Sequence, residues 1–166
     1  MLHSRKIIII GDAGRGKSTL AYNLSKKLNI SHHSTDDYFY EVKYIKPRNK
    51  QESIDSISHL FQQESWIVEG TTQHLLQPGL DLADVIIYLK YKNIFSQWFV
   101  LLKRHLSRKD ESLKEVLSLM EHLFYKRYGL GYKKGKLTHE EVIWPYKDKV
   151  VVLDSFKKIR DFLNQC

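Results

Sequence analysis

Cysteine is nearly absent from this sequence: of 166 residues only Cys166 carries a thiol, so no disulfide can form within the chain. No run of about eighteen apolar residues occurs, which excludes a hydrophobic helix spanning a bilayer. The four isoleucines behind MLHSRK are too few for the apolar part of a secretion signal. These features together lead us to expect a reducing, cytoplasmic setting with no membrane partner. Low-complexity tracts, internal repeats and linkers rich in Pro, Gly or Ser are missing too, so one domain over residues 1–166 is expected. The histidines show no metal-ligand spacing on a common helix, and no zinc site is expected. Acid is the scarcer charge: 27 basic residues against 19 acidic ones leave +8. The excess lies in three clusters, 46–50, 103–109 and 125–136. Such a charge suits nucleic acid, an anionic surface or phosphorylated small molecules alike, and each cluster alone is ordinarily a solvated face.

What is present is an ordinary globular composition, 42% hydrophobic with ten tyrosines, long enough to bury roughly two-thirds of its unfolded surface. Strand-like and helix-like patterns alternate along it. Lys6–Ile10, 30–34, 65–70, 84–89 and 148–153 read as five strands, several of them continuous apolar runs of the kind buried on both faces of a parallel sheet. Leu20, Leu24 and Leu28 recur at helical spacing, as do Ile54, Ile57, Leu60 and Phe61. Two helical patterns separated by the hydrophilic SRKDE at 107–111 fill the gap before the last strand, and Phe156, Ile159, Phe162 and Leu163 mark a final helix. Residues 71–83 read as a loop around a Pro78-Gly79 turn. The alternation implies an α/β fold: a three-layer α/β/α sandwich with a five-stranded, mainly parallel sheet and a short helical lid at about 104–112.

The first βα junction carries the chemistry. Gly11, Gly16, Lys17 and Ser18 satisfy G-x-x-x-x-G-K-[ST] between a predicted strand and a predicted helix, which is the context that motif requires. Triphosphate oxygens need several converging donors, and backbone N–H groups provide them where no Cβ intervenes, hence Gly11, Gly14 and Gly16. The helix start adds unpaired N–H groups and the positive end of its dipole. Lys17 can reach the β- and γ-phosphates, and the Ser18 hydroxyl can ligate Mg²⁺. Gly11, Asp12, Ala13, Gly14, Arg15, Gly16, Lys17, Ser18 and Thr19 thus form the expected nucleotide-binding loop. Within it Asp12 reads as turn chemistry with its side chain outward, and Arg15 as facing solvent in preference to phosphate.

The chain resembles the P-loop kinases of small molecules, a group that includes adenylate, shikimate and gluconate kinases, and most closely the bacterial DNA topology modulation proteins. The likeness rests on IIIIGDAGRGKSTLAYNLSKKL, STDDYF, WIVEG and VVVLDSFKKIRDFL, in that order and over nearly the whole chain. It implies an ATP- and Mg²⁺-dependent phosphotransferase acting on a small acceptor, a nucleoside or nucleotide among the candidates. Asp36 would orient or deprotonate the acceptor hydroxyl, with Asp37 as a substrate contact. Glu69, where the resembling proteins more often carry Asp, would hold Mg²⁺ or substrate, and Gly70 would let either approach the backbone. Arg104 and Arg108, one helical turn apart beside the polar break, would act with Lys17 on the transferring phosphoryl group. Asp154 and Ser155 would lie beside the adenine. An acceptor pocket lined by residues 36–75, with Tyr38, Phe39, Tyr40 and Trp66, would admit a ring. The second reading is a nucleotide-binding module whose basic surface, interleaved with Tyr125, Tyr128 and Tyr132, contacts nucleic acid; we place it behind the kinase. A monomer and a homodimer are both open. No N-K-x-D motif for guanine is present, which counts against a GTPase-type switch.

Overall fold

A computed structural model of the chain describes residues 4–42, 45–91, 94–107, 112–128 and 137–166. Its centre is the isoleucine run. β1 (Lys6–Gly11) pairs in parallel with β5 (Trp66–Gly70) on one side and β6 (Val85–Leu89) on the other. β2 (His32–Ser34) extends the sheet beyond β5, and β7 (Val150–Leu153) extends it beyond β6. The order is therefore β2-β5-β1-β6-β7, with every pairing parallel. Chain direction along the sheet reverses around β1, which makes its carboxyl end the crevice where ligands of such sheets bind.

Alternation on β1 explains why four isoleucines in a row are needed. Ile7 and Ile9 pack with α1 (Lys17–Leu28) and α8 (Phe156–Gln165) on one face. Ile8 and Ile10 pack with α3 (Lys50–Phe61) and α4 (Gln73–Leu80) on the other. All four are wholly buried, so the strand has no solvent face on which a polar residue could stand. α5 (Ile94–Ser107) and α6 (Leu113–Tyr128) form a separate hairpin around Leu101, Val116 and Leu123.

Local signals fail at one helix. Pro78 and Gly79 lie inside α4, not in a turn between strands. Proline removes one donor, but Gly79 is held there by the α3 contact: a Cβ on it would come within 2.4 Å of the Phe61 ring. Close packing of α3 on α4 outweighs the local turn propensity. Smaller elements went unread in the sequence. The five-residue α2 (Thr35–Phe39), the β3–β4 hairpin (Tyr40–Val42 and Lys46–Pro47), and α7 (His139–Ile143) with its following 3-10 turn are all too short for a periodic pattern.

Candidate active site

The loop after β1 takes backbone conformations that only its sequence permits. Gly14 and Gly16 have φ of 77° and 85°, in the left-handed region that side chains disfavour. A Cβ on Gly11 would lie 2.3 Å from the Leu89 carbonyl oxygen, so this glycine is what lets β1 end against β6. The first helical bond of α1 runs from Leu20 N to Gly16 O at 2.9 Å, leaving the earlier N–H groups of the helix directed at the loop's mouth. Lys17 is buried, and its ammonium donates to the Asp12 carbonyl at 3.1 Å, across the loop it closes.

A cavity of about 480 Å³ opens over this loop. It is lined by Ala13, Gly14 and the run Gly16 to Thr19, by Glu69, Gly70 and Thr71 at the end of β5, by Asp36, and by Val100 of α5. Across its floor Ser18 Oγ donates to Glu69 Oε1 at 2.8 Å. Glu69 is only 5% exposed, so its carboxylate is held where a hydroxyl partner compensates its burial. A hydroxyl and a carboxylate in contact at the edge of an anion-binding loop are the hard oxygen donors that Mg²⁺ prefers, so the residues fit that ion.

The acidic pair divides. Ser34 caps α2, its Oγ accepting from Asp36 N at 3.3 Å. This places Asp36 on the cavity wall, whereas Asp37 is exposed and outside it. Asp37 lies close enough to His33 and Tyr38 to raise the pKa of each, but in both groups burial is the larger influence, pushing His33 down and Tyr38 up.

Three expectations need correction. Arg15 does not face solvent: it is 1% exposed, and its guanidinium donates to Lys90 O at 2.9 Å and Leu153 O at 3.3 Å. The rings of Tyr91 and Phe156 lie 4.6 and 4.9 Å from its centre. The Tyr91 hydroxyl in turn donates to Gly14 O at 2.7 Å, so the loop is tied to the ends of β6 and β7 from beneath. Burial lowers the Arg15 pKa, with Tyr91 and Asp154 opposing. Gly70 lines the cavity, but what requires glycine there is packing: the space of its missing Cβ is filled by Thr35, whose Oγ1 would be 1.8 Å away. Trp66 lies at the start of β5, the opposite end of the sheet from the loop, packed on Phe61 at a ring separation of 4.9 Å. It therefore cannot line an acceptor pocket beside Asp36.

Asp12 is not among the residues lining the phosphate cavity, and its Oδ1 faces His139 Nε2 at 3.6 Å. Asp154 approaches Lys158 at 3.2 Å, and Ser155 caps α8 through Lys158 N. Arg104 lies on α5 one turn beyond Val100, which lines the cavity. Residues 108–111 of the expected lid, Arg108 among them, and the basic segment from 129 to 136, Tyr132 included, lie outside the described residues. Among the residues near the loop, sequence reading missed Tyr91, Gln97 and His139. Only the apolar run ahead of Tyr91 marked the region, and nothing local marked the other two.

A parallel sheet of this order, layered by helices and carrying a glycine-rich loop at the end of its central strand, is a three-layer α/β/α fold of the P-loop type. Solved structures bear this out. The shikimate kinase of Bacteroides thetaiotaomicron is similar with a TM-score of 0.58 and 14% identity, covering 98% of this chain and 95% of that one. A shikimate kinase from Acinetobacter baumannii, in complex with shikimate, gives 0.56 and 14% over 98% and 90%. A gluconokinase from Sinorhizobium meliloti 1021 gives 0.55 and 10% over 97% and 88%. At these identities the likeness is one of fold. No protein-family model matches the chain, and no curated protein matches it in sequence. Among the described residues no helix is long and apolar enough to cross a membrane.

Proposed function

We propose that the protein is an ATP-dependent phosphotransferase that moves the γ-phosphoryl group to a hydroxyl of a small molecule. The observation that carries this is the cavity in which Lys17, the bonded pair Ser18 and Glu69, and Asp36 converge. A binding module needs the first three; a further acid in the same cavity is what a transferase adds. Fold neighbours named as kinases of shikimate and gluconate support the same reading.

In this reading the loop N–H groups and Lys17 hold the β- and γ-phosphates, replacing the bond from Lys17 to Asp12 O. Ser18 and Glu69 would hold Mg²⁺, which when bound would neutralise charge on the phosphates. Asp36 accepts the proton of the acceptor hydroxyl as its oxygen bonds to the γ-phosphorus. The bond from that phosphorus to the β–γ bridging oxygen breaks, its electron pair stays on ADP, and a phosphate monoester forms. Arg104 and Arg108 stabilise the equatorial oxygens in this proposal, and Asp37 serves the acceptor from outside. The four motifs that suggest the topology-modulation subgroup fit the same chemistry.

The test is turnover. Purified protein with MgATP and a panel of hydroxyl acceptors should release ADP in step with a phosphorylated product. Asp36→Asn should lower kcat by roughly 10²–10⁴-fold, with ATP affinity retained. ATP binding without ADP release for any acceptor would overturn the proposal.

A further inference from the structure

The hairpin of α5 and α6 carries more apolar surface than its own core uses. Eight of the fourteen residues of α5 are apolar, yet only Ile94 and Leu101 are buried in the small core shared with Val116 and Leu123 of α6. A second row on α5, Phe95, Phe99, Leu102 and Leu106, advances in steps of four, three and four. Leu113, Leu117, Met120 and Phe124 repeat those steps on α6. Such steps keep side chains on one stripe of a helix and are the a and d spacing of helices that pack side by side. At 3.6 residues per turn the α5 row is centred about 110° around the helix from Ile94. The α6 row is turned about 80° in the same sense from Val116 and Leu123. Because the two helices run in opposite directions, equal senses of turn bring both rows to one face of the hairpin. Trp98 joins them there: its ring meets Phe95 at 5.9 Å and Phe124 at 6.2 Å, and its Nε1 donates to Met120 O at 3.2 Å.

This face is in water. Phe95, Phe99 and Leu106 are 71%, 69% and 84% exposed, and Leu102, Leu113 and Leu117 lie between 37% and 53%. Taking about 200 Å² for a whole aromatic side chain and slightly less for a leucine, these six leave roughly 650 Å² of apolar surface uncovered. The largest such patch on an ordinary monomer is about 300–600 Å². A helix that is apolar on two faces belongs in an interior, and α5 has no second neighbour to supply one. Two copies meeting through this face would bury roughly 1,300 Å², inside the about 1,200–2,000 Å² of a specific interface. The outline suits such a meeting. Each copy brings two antiparallel helices whose rows share one spacing, so a two-fold axis stacks them into four helices with every row inside. Charge agrees: exposed beside the face stand Lys103 and Lys114 together with Glu121, both signs on one rim. An anionic bilayer would call for cations alone there.

We propose that this face is the docking surface for a second copy of the chain, the two hairpins closing into a four-helix bundle. The inference does not depend on what the phosphate cavity transfers. It also leaves that cavity open, because Val100, the α5 residue that lines it, is turned about 120° from Ile94 in the sense opposite to the exposed row.

Sedimentation velocity of the full-length protein across a dilution series is the test. At about 10 μM, within the micromolar to picomolar range that interfaces of this size span, twice the 19.7 kDa of the chain is expected. Phe99→Glu and Leu106→Glu each set a charge inside the bundle and are expected to weaken the dimer by about 30-fold or more. Their affinity for a non-hydrolysable ATP analogue should stay unchanged, which also reports that they fold. Val152→Glu, on the outermost strand of the sheet and 47% exposed, should leave the dimer intact. A monomer at that concentration, a dimer that neither α5 variant weakens, or one that only Val152→Glu disperses overturns the inference. So does a monomer that sediments with phosphatidylserine vesicles and loses them in Phe99→Glu, since the face would then belong to a bilayer. If an α5 variant fails to bind the analogue, amide exchange of the unaltered protein takes its place. Slower exchange in α5 and α6 at high concentration than at low supports the bundle, and equal exchange overturns it.

Discussion

Replacing Arg15 tests whether the phosphate loop is held from beneath. The guanidinium makes two hydrogen bonds to strand-end carbonyls, at 2.9 and 3.3 Å, and lies near two aromatic rings at 4.6 and 4.9 Å. Hydrogen bonds to a charged group contribute about 1.5–3 kcal/mol each, and the longer one belongs at the low end. Each ring contact adds about 0.5–1 kcal/mol. Burying the charge offsets a large part, since desolvating a cation costs several kcal/mol. Leu153 O keeps a second donor, Lys90 N at 3.2 Å, so only Lys90 O is left without its partner. The net loss expected for Arg15→Ala is about 2–4 kcal/mol, a substantial fraction of the about 5–15 kcal/mol that holds a domain together. Urea unfolding should show the midpoint shifted at constant slope. Arg15→Met, which keeps much of the packing and loses the donors, separates the contributions. It should recover less than half of the loss, and the affinity for ATP should stay weakened because Gly14 and its tyrosine bond are no longer braced. A Met variant as stable and as tight for ATP as the original protein would refute the reasoning, since the donors would then contribute nothing.

Three further outcomes are expected. Glu69→Ala leaves Ser18 Oγ without its acceptor and removes one oxygen donor from the cavity floor, so the Mg²⁺ concentration for half-maximal activity should rise ten-fold or more in a metal titration. Gly70→Ala drives a Cβ to 1.8 Å from Thr35 Oγ1 and 2.7 Å from its Cβ, so the wholly buried Thr35 must shift, and the Asp36 next to it with it. A fall in kcat of about 10²-fold, the effect of misplacement by about 1 Å, should appear in steady-state kinetics with ATP binding little changed. The third concerns acid. Thr138 holds the Glu141 carboxyl below the ordinary 4.5 through its backbone N–H and its hydroxyl. A group whose folded pKa is depressed contributes stability fully above the unfolded value and loses it as the pH falls through the folded one. Glu141→Gln should therefore lower the melting temperature at pH 7 and leave it nearly unchanged once the pH is below the folded pKa, as read by thermal denaturation across a pH series.

How much of this was legible depended on whether a residue's role is decided by its neighbours in sequence. The five strands were, because burial on both faces forces continuous apolar runs such as Ile7 to Ile10, and no other local structure uses them so briefly. The phosphate loop was, because its glycines answer to backbone angles and a strand contact set within a few residues of each other. The Pro78-Gly79 signal misled because a ring from another helix, Phe61, dictates that glycine. Arg15 misled for the same reason: its partners are 75 and 138 residues away.

The sequence alone therefore determined the five strands, their parallel character and the place of the glycine-rich loop, since each follows from periodicity or from a compact motif. Tertiary structure alone decided which of two adjacent aspartates faces the cavity, that Glu69 meets Ser18, and that Gln97 and His139 come together beside Asp12. Those pairings join strands and helices whose separation along the chain leaves no periodic trace. They exist because the parallel sheet brings the carboxyl ends of distant strands to one edge.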